Sequence, residues 1–166
     1  ESASVPPGSA LMLRWLMLAG GIVVVDQITK HWILDRYALF QSEAITPFFN
    51  LVLVMNSGAA FSFLAGAGGW QKWFFIVLAV AVSIWLLVML RQHATERLLP
   101  AALATILGGA IGNLIDRLRF DAVVDFLDFH CAGYHFPAFN VADSAITIGV
   151  FLMLIAEFRH TKVVPK

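Results

Sequence analysis

The sequence predicts a membrane protein, mainly α: a four-transmembrane-helix bundle with a small extracytoplasmic β region and a short surface helix or loop. Three observations lead there. The chain is 60% hydrophobic and 13% charged, with a mean hydropathy of +0.81, a balance far from that of a soluble domain. Four apolar runs each approach the ~20 residues that a helix needs to cross the hydrocarbon layer. Between the first and second of them, residues 35–69 turn rich in β-branched, aromatic and glycine residues, the composition of short strands and turns. A formal net charge of zero gives no bulk attraction for nucleic acid. The single cysteine, Cys131, excludes an intramolecular disulfide and a Cys-rich zinc site.

Residues 1–10, ESASVPPGSA, read as a flexible linker or cloning remnant, and 11–166 as one membrane-embedded domain. The first span covers about 11–34. Arg14 ahead of an apolar core also suits a signal peptide, but there is no small-x-small cleavage site followed by a soluble domain. Asp26 and Lys30, spaced i,i+4, share a helix face; they are either a local ion pair that lowers the cost of two interfacial charges or a polar pair that holds substrate or a neighbouring loop. Ile45–Met55, opened by a proline, suggests a strand, and Asn56-Ser-Gly a turn. The second span, about 70–90, begins with Trp70 and Trp73 as an interfacial belt. A charged hairpin leads to the third, about 98–116, where Gly108-x-x-x-Gly112 permits close helix packing. The fourth covers about 141–158. Arg91, Arg97, Arg159 and Lys162 flank span ends on one side, which places both termini in the cytoplasm and the opposite end outside.

That outer end holds the chemistry. Residues 112–144 carry Asp116, Asp121, Asp125, Asp128 and Asp143 between two apolar spans, and ionisable groups at a bilayer edge are costly. Asp125 and Asp143 each lie among apolar neighbours, where burial and a second carboxylate raise a carboxyl pKa. Two such groups can share a proton, one withdrawing a proton from water while the other donates to a carbonyl, the logic of an aspartic protease. Blander readings remain open at this level. Asp143 can satisfy N–H groups of a helix first turn, Asp125 can pair with Arg117 or Arg119, Asp116 can pair locally with Arg117, and Asp121 and Asp128 can be solvated. A metal set of Asp125, His130, His135 and Asp143 has no recognised ligand spacing, so neither metal nor cofactor is expected. There is no glycine-rich phosphate loop and no serine-nucleophile motif. A small proton-coupled transporter is the alternative from another class, although it wants polar residues through the bilayer centre and here the acids gather at one face. A noncatalytic membrane adaptor would tolerate loss of either aspartate.

Five ordered blocks carry a resemblance: Asp26-Gln-Ile-Thr-Lys30, Asn56-Ser-Gly-Ala-Ala-Phe-Ser, Gly108-Gly-Ala-Ile-Gly-Asn-Leu-Ile-Asp-Arg117, Val123-Val-Asp-Phe126 and Phe136-Pro-Ala-Phe-Asn-Val-Ala-Asp-Ser144. Over roughly residues 11–160 the chain resembles the bacterial lipoprotein signal peptidases, or signal peptidases II. The resemblance implies a four-span aspartic protease of the bacterial inner membrane, with its termini in the cytoplasm and its active site on the periplasmic side. The implied substrate is a diacylglyceryl-modified prolipoprotein, cut just before the lipidated lipobox cysteine. By position, Asp125 and Asp143 match the catalytic pair. Asn56, Gly58, Asn113, Arg117, Asn140 and Ala142 match the substrate groove, Asp26 and Lys30, with Asp116, a supporting polar set, and residues 35–69 a β-cradle. Membrane lipids and globomycin-type cyclic peptide inhibitors are the other implied partners.

Overall fold

The computed structural model describes residues 7–58 and 69–163, with side chains over 10–58 and 69–159. Four helices carry most of the chain: α1 (Pro7–Arg36), α2 (Trp70–Gln92), α3 (Leu98–Phe120) and α4 (Val141–Val163). All four contain stretches long and apolar enough to cross a membrane. Helix α1 begins at Pro7 rather than at residue 11, because proline lacks only an N–H that the first turn leaves unbonded anyway and its φ is already helical. Ala59, Ala60, Phe61 and Ser62 of the second motif block, together with Gly66 and Gly68, lie outside the described residues.

Helix α3 is the axis of the bundle. Of its most apolar window 56% is buried, against 17–22% for the other three, and it packs against each of them. The cause is its run of small residues. A Cβ at Gly108 would meet the Ala19 carbonyl at 2.8 Å, and one at Gly112 would lie 2.5 Å from Asp26 Oδ2. At Gly109 a Cβ would run into the Ala142 carbonyl of α4. The outer helices keep Val77, Ile84, Ile148 and Phe151 exposed, as suits surfaces whose solvent is lipid. At one end of the bundle Trp15, Leu90 and Leu103 build a core, with the Trp15 indole N–H donating to the Ala94 carbonyl at 3.0 Å.

At the other end sits an antiparallel four-stranded sheet in the order β1-β2-β3-β4, formed by β1 (Ser42–Thr46), β2 (Phe49–Asn56), β3 (Val123–Cys131) and β4 (Tyr134–His135). The α1–α2 and α3–α4 connections meet in it, since β2 pairs with β3 and places Val54 opposite Asp125 and Asn56 opposite Val123. The sheet therefore extends beyond residues 35–69. The acidic connection after α3, for which the sequence offered no strand, is a strand for nine of its residues. Val123, Val124 and Phe126 are buried in it, and Ile33, Tyr37 and Leu53 complete the core that fastens the sheet to the end of α1.

Candidate active site

Asp125 stands in β3 and Asp143 in the first turn of α4, and a frame of asparagines joins them. Asn140, fully buried, is the hub. Its Nδ2 donates to Asp125 Oδ1 at 2.8 Å, with the Val124 carbonyl and Asn113 Oδ1 each at 3.2 Å. Its Oδ1 accepts the Asp143 backbone N–H at 2.8 Å, and its own N–H donates to Asp143 Oδ2 at 3.2 Å. That reciprocal arrangement is a capping box, which satisfies the unbonded donors at the start of α4. The second Asp143 oxygen accepts from Asn113 Nδ2 at 2.8 Å. On the sheet side, Asn56 Nδ2 donates to Asp125 Oδ2 at 3.1 Å, and Asn56 Oδ1 receives the Gly58 N–H at 2.9 Å. The structure thus brings Asp125, Asp143, Asn56, Asn113 and Asn140 into one hydrogen-bonded group. The helix-start duty open to Asp143 in sequence is also present, and it is what orients the side chain.

Burial acts on this pair directly. Asp125 is 2% exposed, and its carboxyl is pushed up to about 7, first by burial and then by the negative charge of Asp143. The bonds from Asn56 and Asn140 oppose the shift without cancelling it. Near neutral pH Asp125 therefore keeps its proton for part of the time, the condition for a carboxyl to act as a general acid.

Behind the pair lies a buried ionic cluster. Lys30 Nζ contacts Asp26 Oδ2 and Asp116 Oδ2, both at 2.8 Å, with all three side chains at 1% exposure or less. It donates also to Asn113 Oδ1 at 3.0 Å. Asp116 pairs across the helix interface with Lys30, not locally with Arg117. Three bonds to the Lys30 ammonium offset the cost of burying it, and removing one partner would strand the others. Ala142 is used through its backbone, its N–H donating to Asp26 Oδ1 at 2.9 Å.

Arg117 is placed differently. Among the described residues its guanidinium makes one long bond, to the Asn113 carbonyl at 3.4 Å, and lies 5.2 Å from the centre of the Phe75 ring. Among the described residues no ion pair links Arg117 or Arg119 to Asp125, and Arg119 instead contacts His31 Nε2 at 2.8 Å. Gly58, at φ +97°, borders the same Phe75 ring, where a Cβ would collide with it. Phe75 belongs to none of the sequence blocks, and its helix shows only an apolar pattern, so nothing in the sequence singles it out.

The remaining acids are structural. Asp121 caps α3 at φ 62° and pairs with Lys72. Burial alone would raise the Asp128 carboxyl, but bonds from His135 and Asn50 outweigh it and hold the group below the usual carboxylate range. His135 Nδ1 lies 2.8 Å from Asp128, while His130 Nε2 approaches Asn50 Oδ1 at 3.3 Å. These histidines therefore tie strands together and do not join Asp125 and Asp143. Beside Asp143 opens a largely apolar cavity of about 530 Å³, walled by Phe136, Pro137, Phe139 and Ile148.

Two carboxyls joined through Asn140, held at the sheet end of the four-helix bundle beside an apolar cavity, suit acid–base hydrolysis of a bond. A family model described as signal peptidase (SPase) II matches residues 18–159. The chain belongs to the signal peptidase II family. A lipoprotein signal peptidase of Azoarcus sp. (strain BH72) is 55% identical over 160 residues, covering 96% of this chain and 91% of the relative. One from Paraburkholderia phymatum is 52% identical over 162 residues, covering 98% and 97%. A solved bacterial membrane enzyme superposes with a TM-score of 0.80 at 34% identity, over 92% of this chain and 93% of the other. A second reaches 0.74 at the same identity. The chain is thus a bacterial, membrane-embedded protease, and the transporter reading falls.

Proposed function

We propose that this chain is an aspartic lipoprotein signal peptidase of the inner membrane, cutting prolipoproteins just before a diacylglyceryl-modified cysteine and releasing the signal peptide. The reading rests on one contact set: Asp125 and Asp143 both bonded to Asn140, with the Asp125 carboxyl raised to about 7. In this mechanism Asp143, oriented by Asn113 and Asn140, removes a proton from water as the oxygen adds to the scissile carbonyl. Asp125 gives its proton to the carbonyl oxygen, leaving a tetrahedral diol. On collapse Asp143 returns its proton to the leaving nitrogen, the C–N bond breaks, and a diol hydroxyl gives its proton back to Asp125.

Substrate contact divides among the groove residues by what each has left to offer. Asn113, Asn140 and Ala142 direct the hydrogen bonds described above into the protein and shape the groove from behind. Arg117, with a single long bond among the described residues, keeps donors for backbone carbonyls of an extended peptide. Asn56 and Gly58 form the wall facing it, where glycine leaves room for the Phe75 ring. The cavity beside Asp143 takes an apolar part of the substrate, and the lipid-facing helices leave the diacylglyceryl chains in the bilayer. Globomycin-type cyclic peptides would compete for this groove. Both termini lie in the cytoplasm and the dyad at the periplasmic face, where exported prolipoproteins present the bond.

The test is cleavage of a purified diacylglyceryl-modified prolipoprotein by the full chain in detergent, read by gel shift and product mass. Cleavage before the lipidated cysteine, unaffected by EDTA and far slower on unmodified precursor, is expected. Failure to cut the lipidated precursor, or loss with EDTA and recovery with zinc, would overturn the reading.

A further inference from the structure

The proposed dyad is fixed through backbone bonds one residue upstream of each aspartate. Asp116 Oδ2 accepts the N–H of Val124, next to Asp125, at 3.0 Å. Asp26 Oδ1 accepts the N–H of Ala142, next to Asp143, at 2.9 Å. The two holding carboxylates come from different helices, α3 and α1, and would repel each other without shared donors. Lys30 supplies one bridge. The other is Gln27, whose Nε2 donates toward Asp116 Oδ1 at 3.0 Å and lies 3.2 Å from both Asp26 Oδ2 and the Gly112 carbonyl. Those bonds use the Asp116 oxygen that Lys30 leaves open. They also cross the point where Gly112 admits the Asp26 carboxylate, since a Cβ there would sit 2.5 Å from Oδ2.

We propose that Gln27 is a positioning residue: with Lys30 it ties Asp26 and Asp116 into a brace, and each of those carboxylates anchors the backbone beside one dyad aspartate. The inference rests on the dyad reading given above. A neutral amide suits this place because the cluster already holds two carboxylates against one ammonium, and a third carboxylate would drive them apart. Loosening the brace lets β3 and the first turn of α4 drift relative to each other, and misplacement of catalytic groups by about 1 Å costs on the order of 100-fold in rate.

The experiment compares the parent protein with Gln27→Met, which keeps length and loses both donors, and Gln27→Glu. Each is assayed across pH on lipidated prolipoprotein, with melting temperature measured alongside and Asp125→Asn as control. The charged and titratable groups facing this region are Asp26, Lys30 and His31 from α1, Asp116, Arg117 and Arg119 from α3, Asp125 from β3 and Asp143 from α4. Gln27→Met is expected to lower kcat by about 10- to 100-fold with KM little changed, beyond any loss of folded protein. Relative to the parent at each pH, Gln27→Glu is expected to retain activity on the acid side, where a protonated carboxyl still donates one bond, and to fall progressively below the parent as the pH rises and the introduced carboxyl ionises. That internal comparison stays decisive where Gln27→Met is too unstable to assay. Parent-like activity in Gln27→Met overturns the proposal, as does a loss in both variants that is uniform across pH and follows the melting temperature. An active Asp125→Asn control would instead sink the dyad reading itself, whatever the Gln27 variants do.

Discussion

Asp125 is a carboxyl that the fold makes harder to ionise, and this has a consequence for stability. Its ordinary pKa of 3.8 rises to about 7 in the folded protein, so between those values the native state holds a proton that the unfolded chain has released. The contribution is full below about pH 4 and is lost as pH rises through 7. Asp125→Asn removes the cost of charging this site, and it is expected to raise the melting temperature at pH 8 while changing it little at pH 4. Thermal unfolding in detergent at the two pH values checks this; a lower melting temperature at pH 8 would contradict it. Asp125 and Asp143 were legible in the sequence as acids among apolar neighbours, but from spacing alone they stayed one option among several. Asn140 explains why. A buried hub holding both is a fact of three-dimensional convergence, and its sequence context, Phe-Asn-Val-Ala-Asp, shows only a helix start.

Helix α3 converts its glycines into proximity. Alanine is the better helix former by about 1 kcal/mol, so its effect at Gly109 or Gly112 turns on packing. At Gly109 the added methyl meets backbone, the Ala142 carbonyl, and at Gly112 it meets an Asp26 carboxylate already pinned by Lys30 and Gln27. Gly109→Ala and Gly112→Ala are each expected to cost a net 1–3 kcal/mol or so, as overpacking does, and to depress activity, measured by thermal unfolding and prolipoprotein cleavage. An alanine variant as stable and active as the parent would show that the helices have room to part. The spans were legible because apolar length is a local property. Strand β3 was not: Val123-Val-Asp-Phe-Leu-Asp-Phe has the apolar content of a strand, but its acids carry no strand signal until β2, distant in sequence, supplies the pairing partner and Asn50 and His135 engage Asp128.

Across the whole molecule, the two connections that build the sheet lie at the same end of the bundle, opposite the Trp15–Ala94 contact. The proposed orientation puts that end in the periplasm, and the chain carries its own probe, because its single cysteine, Cys131, is exposed at the end of β3. A membrane-impermeant maleimide is expected to label Cys131 in intact spheroplasts as fully as in lysed ones; labelling only after lysis would invert the topology. Charge flanking the spans was enough to suggest this orientation from sequence, whereas the joining of a β3 carboxyl to an α4 carboxyl depended on how α3 seats both. The central claim is that these two carboxyls hydrolyse the peptide bond together. Its most direct test is prolipoprotein cleavage by Asp125→Asn and Asp143→Asn, each confirmed folded by its melting temperature. Loss of about 1,000-fold or more in each single variant is expected, as for groups that act as a unit, and near-parental turnover by either folded variant would contradict it.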